Sequence, residues 1–163
     1  MRLVYRGDTR PPSQVFNLGF TPRFGGGIKI QNGGQMIGGI STSKEISIAM
    51  DYAARYEGYV YALFSDDNAI DVVDELIRKN LRDALPNAYT QMEIACNAVR
   101  PNQIVMARPV VMDSSQKYIN WTKSIERNPH FSRSGTSQEL ATADYLFNLT
   151  TAFKALDHNK SHK

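Results

Sequence analysis

Cysteine occurs once, at Cys96. That excludes an internal disulfide and a multi-cysteine zinc site within the chain. Histidine is nearly as scarce. His130, His158 and His162 fall late and without ligand spacing, so no metal site is expected. Long apolar runs are missing as well, and no apolar segment follows the basic residues of the N-terminus, so neither a membrane span nor a signal peptide is expected. No sustained run of one charge exists either. The excess of nineteen basic over sixteen acidic residues, with a pI near 9.0, fits a nucleic-acid partner but is mild, and an ordinary solvated mixed surface accounts for it better. A serine nucleophile elbow, a Cys/His pair with thiol-enzyme patterning and a pair of carboxylates with glycosidase logic are all absent.

What is present is a chain of 163 residues, 42% hydrophobic and 21% charged, which is the composition of one folded domain over 1–163. Its opening, Arg2 to Arg6, alternates as a strand, with Leu3 and Tyr5 on one face and Val4 and Arg6 on the other. Arg6-Gly7-Asp8 matches a cell-adhesion tripeptide, but it ends a strand and lacks the flanking turn residues that would hold it out on a loop. Ser13 to Leu18 reads as a short helix stopped by Gly19. Gly25 to Gly39 holds seven of the eleven glycines, so it is either a mobile surface insertion or a ligand loop. It has neither the P-loop lysine nor the dinucleotide fingerprint spacing.

Ile40 to Glu45 joins a short strand to a helix that runs to about Tyr56, with Thr42 and Glu45 at capping-box spacing and Ile46, Ala49, Met50 and Ala53 as the buried stripe. Gly58 to Phe64 has the β-branched and aromatic density of a buried central strand. A helix is expected from Ile70 to Leu81, with Asp71 outward, after which Leu85-Pro86-Asn87-Ala88 breaks the pattern. Tyr89–Cys96 and Gln103–Val111 read as strands, and Gln138 to about Leu156 as a last helix. On the first of these strands, alternation places Gln91 and Glu93 together on one face and Met92, Ile94 and Cys96 on the core face. That polar face is either solvent-exposed or the wall of a cleft. Cys96 then serves as a small buried hydrophobe.

Three stretches in order, Tyr5-Arg6-Gly7-Asp8-Thr9-Arg10-Pro11-Pro12, Ser41-Thr42-Ser43 and Gln91-Met92-Glu93, resemble the mono-ADP-ribosyltransferase toxins of the cholera and pertussis toxin class. The likeness is closest to the pertussis type, whose opening also carries the Val-Phe and Gly-Phe pairs found here at Val15-Phe16 and Gly19-Phe20. The resemblance implies an α+β fold of two packed, mainly antiparallel sheets with flanking helices and a split cleft that binds NAD as substrate, without a metal. It implies that Arg6, flanked by Tyr5 and Gly7, binds the dinucleotide, for which a guanidinium offers charge-assisted bidentate bonds. Glu93 is the implied stabiliser of the positive ribose that forms as nicotinamide leaves. Ser41 is implied to hold Glu93. Thr42 is implied either to cap the helix or to touch the nucleotide, and Ser43 to lie on the nucleotide side.

Gln91 is implied to face the acceptor. Being neutral, it disfavours the arginine acceptors that accompany a second carboxylate, and leaves a cysteine or asparagine side chain or a nucleic-acid base. The pertussis-type histidine near the N-terminus has no counterpart before His130, and the single cysteine cannot link a carrier fragment. The expectation is therefore a toxin or effector domain, secreted or injected, acting on a protein or nucleic acid in the cytoplasm of a target cell, with an immunity protein or a larger delivery chain as a further partner. An NAD glycohydrolase and a non-catalytic binding module of the same fold are the alternatives.

Overall fold

The computed structural model describes residues 1–23, 25–132 and 135–157. Strand β1 (Leu3–Asp8) leads to helix α1 (Pro12–Leu18), which begins at a proline and ends at Gly19 with a positive φ of 70°. The glycine-rich segment does not form a plain loop: β2 (Lys29–Ile30) and β3 (Met36–Ile37) pair as a small antiparallel hairpin. Then come β4 (Ile40–Ser43), α2 (Ile46–Arg55) and β5 (Tyr59–Phe64). The helical stripe and the buried strand foreseen there both form, with Val60 to Phe64 almost wholly inaccessible.

The next segment departs from its expected pattern. Ile70 and Asp71 form the short strand β6, and helix α3 covers only Val72–Arg78. Asp71 does not point outward. Its carboxylate accepts from the Asp74 backbone N–H and from Lys44 Nζ at 2.8 Å, so it caps α3 and fastens it to β4. After one 3₁₀ turn at Arg82–Ala84, helix α4 runs over Leu85–Gln91. Pro86 lies in its first turn, where the missing N–H costs nothing, so it begins a helix where a break was expected. Strand β7 consequently covers only Glu93–Cys96.

The remaining elements are β8 (Ile104–Met112), β9 (Tyr118–Trp121), β10 (Glu126–Arg127), α5 (Ser137–Phe147) and β11 (Phe153–Lys154). Thr136 and Glu139 form the capping box of α5. The helix stops well before Leu156 because Trp121 Nε1 and Arg108 Nη1 donate to the Leu146 and Phe147 carbonyls, and Phe153 is drawn into pairing with Ile119. His158 and His162 lie outside the described residues. Among the described residues no helix is long and apolar enough to cross a membrane.

The strands pair antiparallel in the order β11-β9-β8-β5-β1-β4-β7-β6, with β10 also on β8. This is the expected α+β architecture, and its division into two parts is carried by one register: β1 and β4 meet only at Tyr5 and Ser43. Three apolar clusters hold it. Helices α2 and α5 cover one face, where Met50, Ala53, Phe64, Met106 and Phe147 pack together. Helix α1 and Phe20 cover the other, with Val4, Tyr61, Leu63 and Ile94. Helices α3 and α4 and the hairpin residue Ile30 close over Ala95 of β7.

Candidate active site

Strand β1 treats its two neighbours differently. It pairs with β5 at six successive positions, from Leu3↔Phe64 to Asp8↔Tyr59. With β4 it pairs once, although β4 is itself paired along its whole length with β7. Beyond Tyr5 the strands part, and a fork of this kind leaves backbone polar groups that an unbroken sheet would consume. Arg6 bridges it. Its Nη1 donates to the Ser41 carbonyl at 2.7 Å, its Nε donates to Asp8 Oδ2 at 3.1 Å, and Nη2 lies 3.0 Å from the same oxygen. The guanidinium rests on the Phe20 ring, 5.1 Å from its centroid. With three of five N–H groups used in these contacts, two are left for a ligand.

Asp8 is buried between Arg6 and Arg10, accepting from the Arg10 Nε and Nη2 at 2.9 and 2.7 Å. Burial pushes its carboxyl upward, but the hydrogen bonds of Arg10 and the charges of both arginines prevail and hold it below the usual carboxylate range. An aspartate clamped in this way braces the end of β1 and is unavailable as an adhesion ligand.

The three residues of the Ser-Thr-Ser segment do different work. Ser41 is exposed at the fork and hydrogen bonds the Glu93 side chain. Thr42 is buried, and its hydroxyl donates to the Ile94 carbonyl at 2.7 Å, so it does not cap α2. The position before α2 is Glu45, whose backbone N–H donates to Ser43 Oγ at 3.1 Å. That same hydroxyl donates to the Gln91 carbonyl at 2.7 Å. Ser43 thereby joins β4, the start of α2 and the end of α4.

Gln91 and Glu93 do not share a strand face. Gln91 is the last residue of α4, Met92 turns the chain with φ 45° and ψ 46°, and Glu93 opens β7. Alternation would have set the two side chains on one face; the left-handed turn brings them to one place by another route. Glu93 is half-buried. Desolvation raises its pKa above the ordinary carboxylate value, and the hydrogen bond from Ser41 and the charge of Arg6 offset part of that rise.

A cavity of about 510 Å³ opens at the fork, and all eight residues singled out from the sequence, Tyr5, Arg6, Gly7, Ser41, Thr42, Ser43, Gln91 and Glu93, line it. Not all do so with a free group. Tyr5 is mostly buried, its ring 6.5 Å from that of Phe147, and burial together with the charge of Glu45 pushes its hydroxyl up to about 12. Gly7 is required by packing: a Cβ there would stand 2.5 Å from the Ala49 carbonyl oxygen of α2.

Helix α2 contributes lining residues that the sequence reading left unassigned. Tyr52 and Tyr56, exposed and one turn apart, stand with ring centroids 4.7 Å from each other. Asp51 and Arg55 are also one turn apart. Arg55 donates to Asp51 at 2.9 Å and to the Leu156 carbonyl at 3.1 Å, while the Leu156 N–H donates to Asp51 at 3.0 Å. The segment after β11 is thereby fixed as a wall of the cavity. The i,i+4 spacing of both pairs immediately after the Ser-Thr-Ser strand was the signal available for finding them.

No family model matches the sequence, and no curated protein is similar to it. Solved structures are. The chain matches EcPltA with a TM-score of 0.66 at 17% identity over 83% of this chain and 90% of that one. It matches the full-length CARDS toxin with a TM-score of 0.63 at 17% identity over 83% of this chain, but it spans only 30% of the length of that toxin. It also matches the Scabin toxin from Streptomyces scabies in complex with NADH, with a TM-score of 0.57 at 22% identity over 82% of this chain and 77% of that one. The fold is that of the ADP-ribosylating toxins. In this fold the forked pairing of β1 with β4 is the feature that gathers the polar side chains, and α2 roofs the resulting cavity. Among the described residues no three His, Cys, Asp or Glu side chains come together as a metal site. Cys96 is buried, and burial pushes its thiol up to about 11, which leaves it without nucleophilic character.

Proposed function

We propose that this chain is an NAD-dependent mono-ADP-ribosyltransferase. The observation that carries the reading is the convergence of Arg6, Ser41 and Glu93 on one cavity at the fork of the sheet. The NADH bound by Scabin supports a dinucleotide as occupant. The two uncommitted N–H groups of Arg6 receive a phosphate oxygen of NAD, and the braces from Asp8 and Ser41 mean that the guanidinium is oriented before the ligand arrives. Tyr52 and Tyr56 offer flat apolar surface to a planar ring. Glu93 accepts from the ribose 2′-hydroxyl and, as the bond to nicotinamide breaks, places its negative charge beside the developing oxocarbenium. Ser41 positions that carboxylate and helps keep it ionised.

The acceptor is a macromolecule of a target cell, and Gln91 faces it as a neutral hydrogen-bonding group, which argues against an arginine acceptor. The chain acts in the target-cell cytoplasm as a secreted or injected toxin domain, with an immunity protein or a larger delivery chain as its further partner. The experiment is release of nicotinamide from NAD by the purified chain, followed by mass spectrometry. Release that disappears in Glu93→Gln, while NAD binding measured by calorimetry persists, supports the assignment. A wild-type chain that binds no NAD and releases no nicotinamide refutes it.

A further inference from the structure

A second cavity of about 650 Å³ adjoins the one at the fork. Arg6, Ser41 and Tyr52 line both, so Arg6 stands at the neck between them, and of the two only the first is bordered by Glu93. The walls of the second come from the end of β1, the segment after α1 and the connection from β3 to β4. A dinucleotide whose reacting ribose reaches Glu93 and whose phosphates meet Arg6 still has an adenosine half to place. The second cavity is the space that continues beyond that arginine.

The charge of its lining is one-sided. Arg6, Arg10 and Arg23 bring three guanidiniums to it, and Asp8 is the one carboxylate among the described residues that line it. That carboxylate is already spent. It is buried and accepts from Arg6 Nε and from Arg10 Nε and Nη2. Arg10 is held by those bonds and by the Phe20 ring, whose centroid lies 5.1 Å from its guanidinium carbon, and the Nη1 group is not consumed in holding it. Arg23 is exposed and forms no ion pair with a described residue. Thr21 adds a hydroxyl, and Met36, Ile37 and Ile40 add apolar surface that suits a purine.

Dinucleotide sites tell the two forms of the adenosine ribose apart by charge. A carboxylate that accepts from the 2′-hydroxyl selects the plain ribose, and an arginine accommodates a 2′-phosphate. Here the only carboxylate is occupied, and two arginines besides the one at the neck face the space. We infer that the second cavity accepts an adenosine 2′-phosphate, held by Arg10 and Arg23, so that this chain uses NADP as donor at least as well as NAD. The inference rests on the transferase reading given above and names a donor for that same site. The bond that breaks is unchanged: C1′ parts from the nicotinamide nitrogen, the electron pair leaves with nicotinamide, and the acceptor supplies the pair for the new bond and gives up a proton. The 2′-phosphate takes no part in the step and travels with the transferred group. A need to hold the pyrophosphate alone does not explain Arg23, because Arg6 at the neck already has free N–H groups for it.

The test is nicotinamide release by the purified chain from NAD and from NADP in parallel, with mass spectrometry of the transferred group. The expected result is a kcat/KM for NADP equal to or above that for NAD, and a product heavier by one phosphate when NADP is the donor. Adenosine 2′,5′-bisphosphate should compete with NAD about tenfold more tightly than adenosine 5′-monophosphate, the gain from one charge-assisted contact. Arg23→Ala changes an exposed position and should lower the ratio of kcat/KM for NADP to that for NAD by about tenfold. Release from NAD with a clearly lower kcat/KM for NADP, or a ratio that Arg23→Ala leaves as in wild type, overturns the inference and leaves the transferase reading standing. Absence of release from both dinucleotides refutes both.

Discussion

The two flanks of β1 are built from the same chain of six residues and serve opposite ends. Toward β5 every position is paired, and the partner strand presents the fully buried side chains of Val60, Tyr61, Ala62, Leu63 and Phe64. The Tyr61 hydroxyl is satisfied by donating to the Arg10 carbonyl at 2.6 Å. Toward β4 one position is paired, and the groups at the opening are a guanidinium, a serine hydroxyl and a carboxylate whose ionisation is made costly by burial. Continuity of the ladder produces stability on the first side. Its interruption produces a site on the second. Where a protein gives up hydrogen bonds between neighbouring strands, the freed groups and the space between them become available to a ligand, and the stability forgone must come from elsewhere in the fold.

Substitutions on the two flanks should therefore separate stability from activity. Leu63→Ala removes a fully buried side chain on the closed flank and should cost about 3 kcal/mol in denaturant unfolding, with turnover per folded molecule nearly unchanged at low temperature. A comparable fall in turnover would mean that the two flanks are coupled. On the open flank, Glu93→Gln should lower turnover about a hundredfold, as loss of one preorganised charge does. Its effect on stability should have the opposite sign. Because the folded-state pKa of Glu93 lies above the unfolded value, ionisation opposes folding above that raised pKa. Glutamine removes the opposition, so the thermal midpoint at neutral pH should rise, and the gain should vanish on acidification below the unfolded value, where both states are protonated.

Arg6→Lys keeps one positive charge at the fork but cannot span Ser41, Asp8 and a ligand together, so kcat/KM for NAD should fall about tenfold while the unfolding midpoint moves little, Asp8 retaining Arg10. Unchanged kinetics would make Arg6 purely a brace. The smallest effect concerns pH. The acid limb of kcat/KM should lie above the range of an ordinary glutamate, and Ser41→Ala, by removing a hydrogen bond that favours the ionised form, should shift it further upward. A downward shift would show that Ser41 does not donate to Glu93.

Much of this was legible locally. The alternation of Leu3 to Arg6, the stripe from Ile46 to Ala53 and the apolar density of Tyr59 to Phe64 each depend on neighbours within a few residues, and they formed as expected. The order of Arg6, Ser41-Thr42-Ser43 and Gln91-Met92-Glu93 identified the fold and the lining of its cavity. What local pattern could not decide was the form of the segment around Gln91. Tyr89-Thr90-Gln91 suits a strand by propensity. It became a helical turn because Pro86 could start a helix, because Ala84 and Ala88 had an apolar cluster to join, and because the Ser43 hydroxyl from a distant strand took up the Gln91 carbonyl. In the same way the tail was drawn from helix into strand by Ile119, more than thirty residues away. Sequence by itself determined which residues line the cavity and the elements whose partners are near in the chain. The tertiary structure alone decided that β1 and β4 part after one pair and that two cavities meet at Arg6, because both facts depend on contacts between segments whose separation along the chain leaves no trace in the periodicity of either.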